Sequence, residues 1–257
     1  MRRRRRYEMK ILTILLTTVT FLLASPTAKE IVEKSDEIRN AGSSFYQKGL
    51  ITEYKSAKKV DSMLISIYSK ESAGQFKTIV RILKPKKDKN KLILRDGNSM
   101  WLYDPNSKAI AQMSPQQRLM GQSSSADVMS ANFALDYKLK LEGRESIKDG
   151  SKKLRECYKI SMEAISGDVS YPFVEYWVDV ENFYPIFAKF YSSNRDLLKK
   201  SYYRKFKEVL GKIRPTQVLI FDGVDTSKAT KMEFADTQKK ELPDFWFNKE
   251  YLSKFNE

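Results

Sequence analysis

Hydrophobic and polar positions alternate along most of this chain. In "VDSMLISIYSK" the apolar residues Met63, Ile65 and Ile67 share one face of an extended strand, and in "QFKTIVRILK" Phe76, Thr78, Val80 and Ile82 do the same. Lys77 and Arg81 take the opposite face, the pattern of a sheet that is greasy on one side and wet on the other. "YKLKLEGRESI" puts Tyr137, Leu139 and Leu141 in phase; "KLRECYKISMEA" does so with Leu154, Tyr158, Ile160 and Met162. "PFVEYWVDVE" aligns Val174, Tyr176, Val178 and Val180, and "PIFAKFYS", "KKSYYRKFKEVL", "TQVLIFD" and "TKMEFAD" extend the series. Asp96-Gly97 predicts a tight hairpin turn and Asp104-Pro105-Asn106 a second. The period therefore predicts about ten or eleven strands.

Three segments break the alternation. "KEIVEKSDEIRNAG" spaces Ile31, Val32, Ser35 and Ile38 as one helix with Gly42 beyond its end. In "SPQQRLMGQSSSADVMSANFALDYKL", Ser114 reads as an N-cap with Pro115 at the first helical position. That helix stops at Gly121, and a second follows in "SADVMSANFA". "LPDFWFNKEYLSKF" predicts a C-terminal helix carrying Trp246, Tyr251 and Leu252. Without a repeat or linker, residues 29–257 form one α+β domain, mainly β, built on an antiparallel sheet.

Composition narrows the chemistry. The chain has 257 residues, 41% of them hydrophobic, enough for one sizeable core. It contains no His, which removes the commonest general base and zinc ligand. The single Cys157 makes no internal disulfide or metal cluster. Asp96, Asp104 and Asp127 could supply carboxylates for acid/base work, but the first two are turn residues; Ser123, Ser124 and Ser125 fit a linker and N-cap, and Asp222, Asp225 and Asp236 lack the spacing of a calcium loop. A hydrolase using Ser-Lys or paired carboxylates needs a convergent nucleophile–base pair, and none stands out. No catalytic residue, metal site or cofactor is expected.

The N-terminus reads as an export signal. "MRRRRRYEMK" precedes thirteen uncharged residues, "ILTILLTTVTFLL", and then "ASPTAKE", with cleavage near Ala24 or Ala28. The apolar run is short for a bilayer span. No Cys lies near the cleavage site, so the mature chain is expected in the periplasm without a lipid anchor. The formal net charge is +15, and removing residues 1–28 takes away only six Lys/Arg and one Glu. The scattered lysines and the exported address argue against nucleic acid. They suit a solvated surface or attraction to an anionic membrane.

"RDGNSMWLYDPNSKAIAQMS" resembles the LolA-like, outer-membrane lipoprotein-sorting proteins through Asp96, Gly97, Trp101, Tyr103 and Pro105, with Lys84-Pro85 in place of the family's basic–Pro pair. The resemblance implies an unclosed antiparallel half-barrel with helices over its concave face. It implies a soluble, monomeric carrier that takes acyl chains of lipoproteins or other lipids from an inner-membrane donor toward an outer-membrane acceptor. Cavity candidates on the strands are Met63, Ile65, Ile67, Phe76, Val80, Ile82, Trp101, Tyr103, Tyr158, Ile160, Tyr176 and Val178. Those on the covering segment are Met113, Leu119, Met120, Met129 and Phe133, where methionines repack easily around varied shapes. Lys84 is the expected lid contact, although it lacks the fork of an Arg. Two alternatives stay open: a non-transporting lipid-sensing or protein-interaction module of the same fold, and an ordinary packed core in place of a cavity.

Overall fold

Thr27 opens the first element. Its hydroxyl accepts from the Glu30 amide while the Glu30 carboxylate accepts from the Thr27 amide at 2.8 Å, a reciprocal cap on helix α1, Ala28–Arg39. The computed structural model describes residues 25–97, 99–167 and 169–257, so most of the expected leader lies outside the described residues. α1 buries Ile31, Val32, Ser35 and Asp36, in keeping with the predicted stripe.

A first meander follows: β1 (Ser44–Lys55), β2 (Lys58–Ser72), β3 (Gln75–Lys84), β4 (Leu92–Asp96), β5 (Ser99–Asp104) and β6 (Ala109–Gln112). A second runs through β9 (Tyr137–Lys148), β10 (Leu154–Ala164), β11 (Phe173–Asp179), β12 (Pro185–Tyr191), β13 (Leu197–Val209), β14 (Lys212–Asp222) and β15 (Lys228–Lys239). Between them lies a tiny hairpin, β7 (Arg118–Met120) with β8 (Ser123–Ser124). The two meanders join where β1 pairs antiparallel with β15, giving one 13-stranded sheet in the order β6-β5-β4-β3-β2-β1-β15-β14-β13-β12-β11-β10-β9. β6 and β9 are its two edges, so the sheet is unclosed. Register shifts in β1–β15, β1–β2, β2–β3 and β9–β10 mark bulges, which add local bend and twist.

This order fixes the path of the residues between β6 and β9. That segment, residues 113–136, must travel from one sheet edge to the other, and it does so as a strap over the inner face. Two expected helices are replaced here by other structure. Ser114-Pro115 makes a turn, with the Ser114 hydroxyl accepting from the Gln116 amide at 3.3 Å, and the chain continues into β7. Gly121, with φ +55°, turns the hairpin instead of ending a helix. A Cβ there would collide with Thr230 Oγ1, so only glycine lets the hairpin sit this close to β15. The second expected helix is a 3-10 turn, Ser125–Val128, followed by the single-turn α2, Phe133–Asp136.

Both faces of the sheet are covered. The inner face carries Met63, Ile65, Ile67, Val80, Ile82, Ile93 and Met100 on one flank and Tyr158, Ile160, Tyr176, Val178 and Phe190 on the other, under α1 and the strap. On the outer face, Tyr68, Ile79, Leu92, Leu94 and Tyr103 pack beneath Leu242, Trp246, Phe247 and Leu252. The C-terminal segment holding those last residues is two 3-10 turns, Asp244–Phe247 and Lys249–Lys254, where one helix was expected. A second outer cluster gathers Cys157, Trp177, Ile186 and Phe187. The described residues form fifteen strands, more than the ten or eleven expected, and the short β6, β7 and β8 account for part of the difference because they are too short to show a period.

Trp246 is 8% exposed and sits edge-on to Tyr68 and Phe255. Trp246→Ala is expected to cost about 3–5 kcal/mol in urea unfolding. Because this residue lies across the sheet from the strap, ligand binding on the inner face should be unchanged in the folded variant.

Candidate ligand cavity beneath the strap

The strap is held to the sheet by a buried charge pair. Lys199 lies on β13 in phase with Ser201 and Tyr203 and is only 4% exposed. Its ammonium donates to Asp127 in the strap and, at 2.5 Å, to the Tyr171 hydroxyl. Tyr171 in turn donates to Asp127 at 3.2 Å and lies 2.8 Å from Ser124 Oγ. Asp127 also accepts from the Ser124 amide at 2.7 Å, closing the cap on the 3-10 turn. The Lys199 nitrogen stands 4.3 Å from the Tyr171 ring centre and 5.0 Å from that of Phe190. Burial lowers the Lys199 pKa, with Asp127 pulling the other way, and burial raises that of Tyr171 well above the ordinary value.

A second attachment comes from the end of α1. Asp36 accepts from Arg39 at 2.6 Å and from the Ala134 amide at 2.9 Å, so one carboxylate meets both a guanidinium and a first-turn amide of α2. Arg39 also donates to the Ala131 carbonyl at 2.5 Å and lies 3.8 Å over the Phe133 ring. Asn40 reaches the same carbonyl at 3.0 Å. Burial pushes the Asp36 carboxyl up against the pull of Arg39. Arg214 anchors α1 itself, donating to the Glu37 carbonyl at 2.5 Å and to that of Asn40. A third, weaker contact runs from Arg95 on β4 to the Ser130 carbonyl at 3.4 Å.

Between strap and sheet lies a cavity of about 130 Å³. Val128, Met129 and Phe133 line it from the strap, and Phe190, Tyr203, Val218, Ile220, Met232 and Phe234 from the sheet. Arg39, Arg95, Asp127, Asp136 and Arg214 contribute charged groups to the same wall. Small-ligand pockets usually run to roughly 300–1,000 Å³, so the inner face is largely packed while the strap is down.

The sequence-level candidates separate into three groups. Met129 and Phe133 line the cavity itself. Met63, Ile65, Ile67, Val80, Ile82, Met120, Tyr158, Ile160, Tyr176 and Val178 are buried in the surrounding inner cluster, with Met113 and Leu119 partly buried against it. Phe76, Trp101 and Tyr103 lie elsewhere. Phe76 is buried beside a separate groove near Glu33, Glu71 and Lys212. In β5 the pleat sends Met100 and Leu102 inward, so Trp101 and Tyr103 face outward into the C-terminal cluster. Lys84 is exposed at the end of β3 and, among the described residues, bonds to no strap group, so the expected lid contact falls to Lys199, Arg39 and Arg95. None of those three was singled out from sequence. For Lys199 a signal existed: a lysine in phase with Ser201 and Tyr203 breaks the polar-out rule of its strand. No group of three or more metal-ligating side chains occurs among the described residues.

The fold recurs in solved structures. A LolA superfamily protein from Nitrosomonas europaea is 32% identical, with a TM-score of 0.79, over 88% of this chain and 100% of that one. The chain belongs to the LolA superfamily. Two further structures share the fold of this superfamily member. A DUF1329 family protein from Desulfovibrio piger has a TM-score of 0.74 at 17% identity, covering 88% of this chain and 97% of its own. A putative outer membrane lipoprotein-sorting protein domain from Vibrio parahaemolyticus has 0.72 at 20%, covering 88% and 98%. The family model described as "Uncharacterized protein" matches residues 74–254, and no curated protein matches the sequence.

The Lys199–Asp127 pair makes a direct test possible. Asp127→Ala strands a buried ammonium and should cost about 3–5 kcal/mol in urea unfolding, whereas the double replacement Lys199→Met with Asp127→Leu should recover most of that loss. A single-variant cost below about 1 kcal/mol would place the pair among weak surface bridges.

Proposed function

We propose that this protein is an exported, soluble carrier that shelters acyl chains of lipoproteins or other lipids beneath its strap and passes them toward the outer membrane. One observation carries this reading: the segment that links the two sheet edges crosses an apolar inner face and leaves a cavity there. Side chains of Val218, Ile220 and Met232 offer that cavity no reactive group, and burial of each CH₂ of a cargo would contribute about 0.8 kcal/mol. The strap's apolar contacts include Met120, Val128 and Met129, and methionine side chains adapt to cargo shape. The small volume with the strap down implies that a bulky cargo enters by displacing it.

The leader-like N-terminus supports export to the periplasm, where a donor in the inner membrane and an acceptor in the outer membrane would complete the route. Cleavage after Ala24 would leave the Thr27 cap of α1 in place, whereas cleavage after Ala28 would remove it. No described helix is long and apolar enough to cross a membrane.

Native mass spectrometry of the protein taken from the exporting compartment should reveal a non-covalent lipid adduct that solvent extraction removes. Val218→Trp, which fills the cavity, should weaken binding of a fluorescent acyl probe by about tenfold or more while retaining the fold by circular dichroism. Undiminished probe binding in folded Val218→Trp would contradict the cavity as the acyl site. Stable capture of a protein partner by a lipid-free chain would favour a sensing role over transport.

A further inference from the structure

The charged groups of the cavity are unevenly satisfied. Arg95 projects from β4 on the inner face, opposite Met100. Its guanidinium donates to the Gly97 carbonyl at 2.9 Å and to the Ser130 carbonyl at 3.4 Å, and among the described residues it meets no carboxylate within 4 Å. Arg39 gives one Nη to Asp36, while its Nε is buried with no hydrogen-bond partner. The two guanidiniums act on each other: burial lowers the Arg95 pKa and the Arg39 charge lowers it further, against the pull of Asp136. Asp136 lines the same cavity and forms no ion pair within 4 Å, its own pKa raised by burial.

Arg95, a half-buried guanidinium bonded only to carbonyls, has given up part of its hydration with no bonded counter-charge, and Asp136 supports it only at longer range. An incoming anion offsets that cost, and the planar fork of Arg fits a carboxylate or phosphate through two parallel bonds. An ester or amide head offers single neutral acceptors and leaves the charge uncompensated. A small free anion would leave the apolar wall at Val218, Ile220 and Met232 unfilled.

We propose that the cavity selects an amphiphile with an acidic head, a carboxylate or phosphate on an acyl tail, and seats that head against Arg95 and the free edge of Arg39. This rests on the acyl-carrier reading and specifies the cargo's head group. Asp136, the nearby unpaired carboxylate, then acts as a brake on anion binding.

The test is calorimetric titration of the full chain at about pH 8, where a fatty carboxylate is fully ionised. The probes are dodecanoate, methyl dodecanoate and acetate. Dodecanoate is expected to bind about tenfold tighter than its ester, with acetate far weaker than either. Arg95→Gln should abolish the preference for the carboxylate, bringing dodecanoate down to the affinity of its ester, and Arg95→Lys should retain part of it. Asp136→Asn should tighten dodecanoate several-fold without affecting the ester, which decides the matter even if Arg95→Gln folds poorly. Equal binding of acid and ester by the unmodified chain, or parallel weakening of both in Arg95→Gln, overturns the head-group assignment while leaving the acyl-carrier reading intact. Acetate as tight as dodecanoate overturns it in favour of a small-anion site. Failure of both long-chain probes to bind removes the carrier reading along with it.

Discussion

The pairing of β1 with β15 is the constraint on which the rest depends. It joins two meanders through their innermost strands and so sends β6 and β9 to opposite edges of one sheet. The chain between those edges has no short route. It must cross a face of the sheet, and the apolar inner face offers burial to Met120, Val128, Met129 and Phe133 as it crosses. A covering strap is thus a consequence of strand order, and a cavity is what remains where strap and curved sheet fail to interlock.

How the strap is fastened follows from what lies beneath it. A short segment with little regular structure has many backbone groups to satisfy, and buried polar partners do this at a few points. Asp36 meets Ala134, Arg39 and Asn40 meet Ala131, and Asp127 meets Lys199. Each contact is strong only while water is excluded, so the attachments share one dependence on the closed state. Such an arrangement favours opening as a unit over gradual fraying. The outer face contrasts with this, since Trp246, Phe247 and Leu252 fix the C-terminal turns there through apolar packing.

Much of this was legible in the sequence, and the failures have physical causes. Period-two alternation placed Met63, Ile65, Ile67 and Tyr176 together because their strands are long and one-sided near the inner core. It misassigned Trp101 and Tyr103 because alternation defines two faces without naming the inner one, and β5 is buried on both. The hairpin motif that carried the family resemblance therefore marks the fold, while Asp96, Gly97, Trp101, Tyr103 and Pro105 all stand outside the cavity lining. Ser114-Pro115 suits a helix start and a turn equally well, and the neighbouring β15 decided for the turn by meeting Gly121 and Gln122. Strand order was invisible to any local pattern. So was the convergence of Lys199, Tyr171 and Asp127, which are separated by 72 residues at the widest and meet only when β13 passes under the strap.

The central claim is that the strap opens separately from the sheet and closes over an acyl ligand. Hydrogen–deuterium exchange of the backbone amides tests it most directly. Strap amides, residues 113–136, should exchange through an opening of lower free energy than those of β1, β2, β14 and β15, and saturating dodecanoate should slow the strap selectively. Strap amides that exchange only by global unfolding, at the same free energy as the central strands and with no response to ligand, would contradict the account.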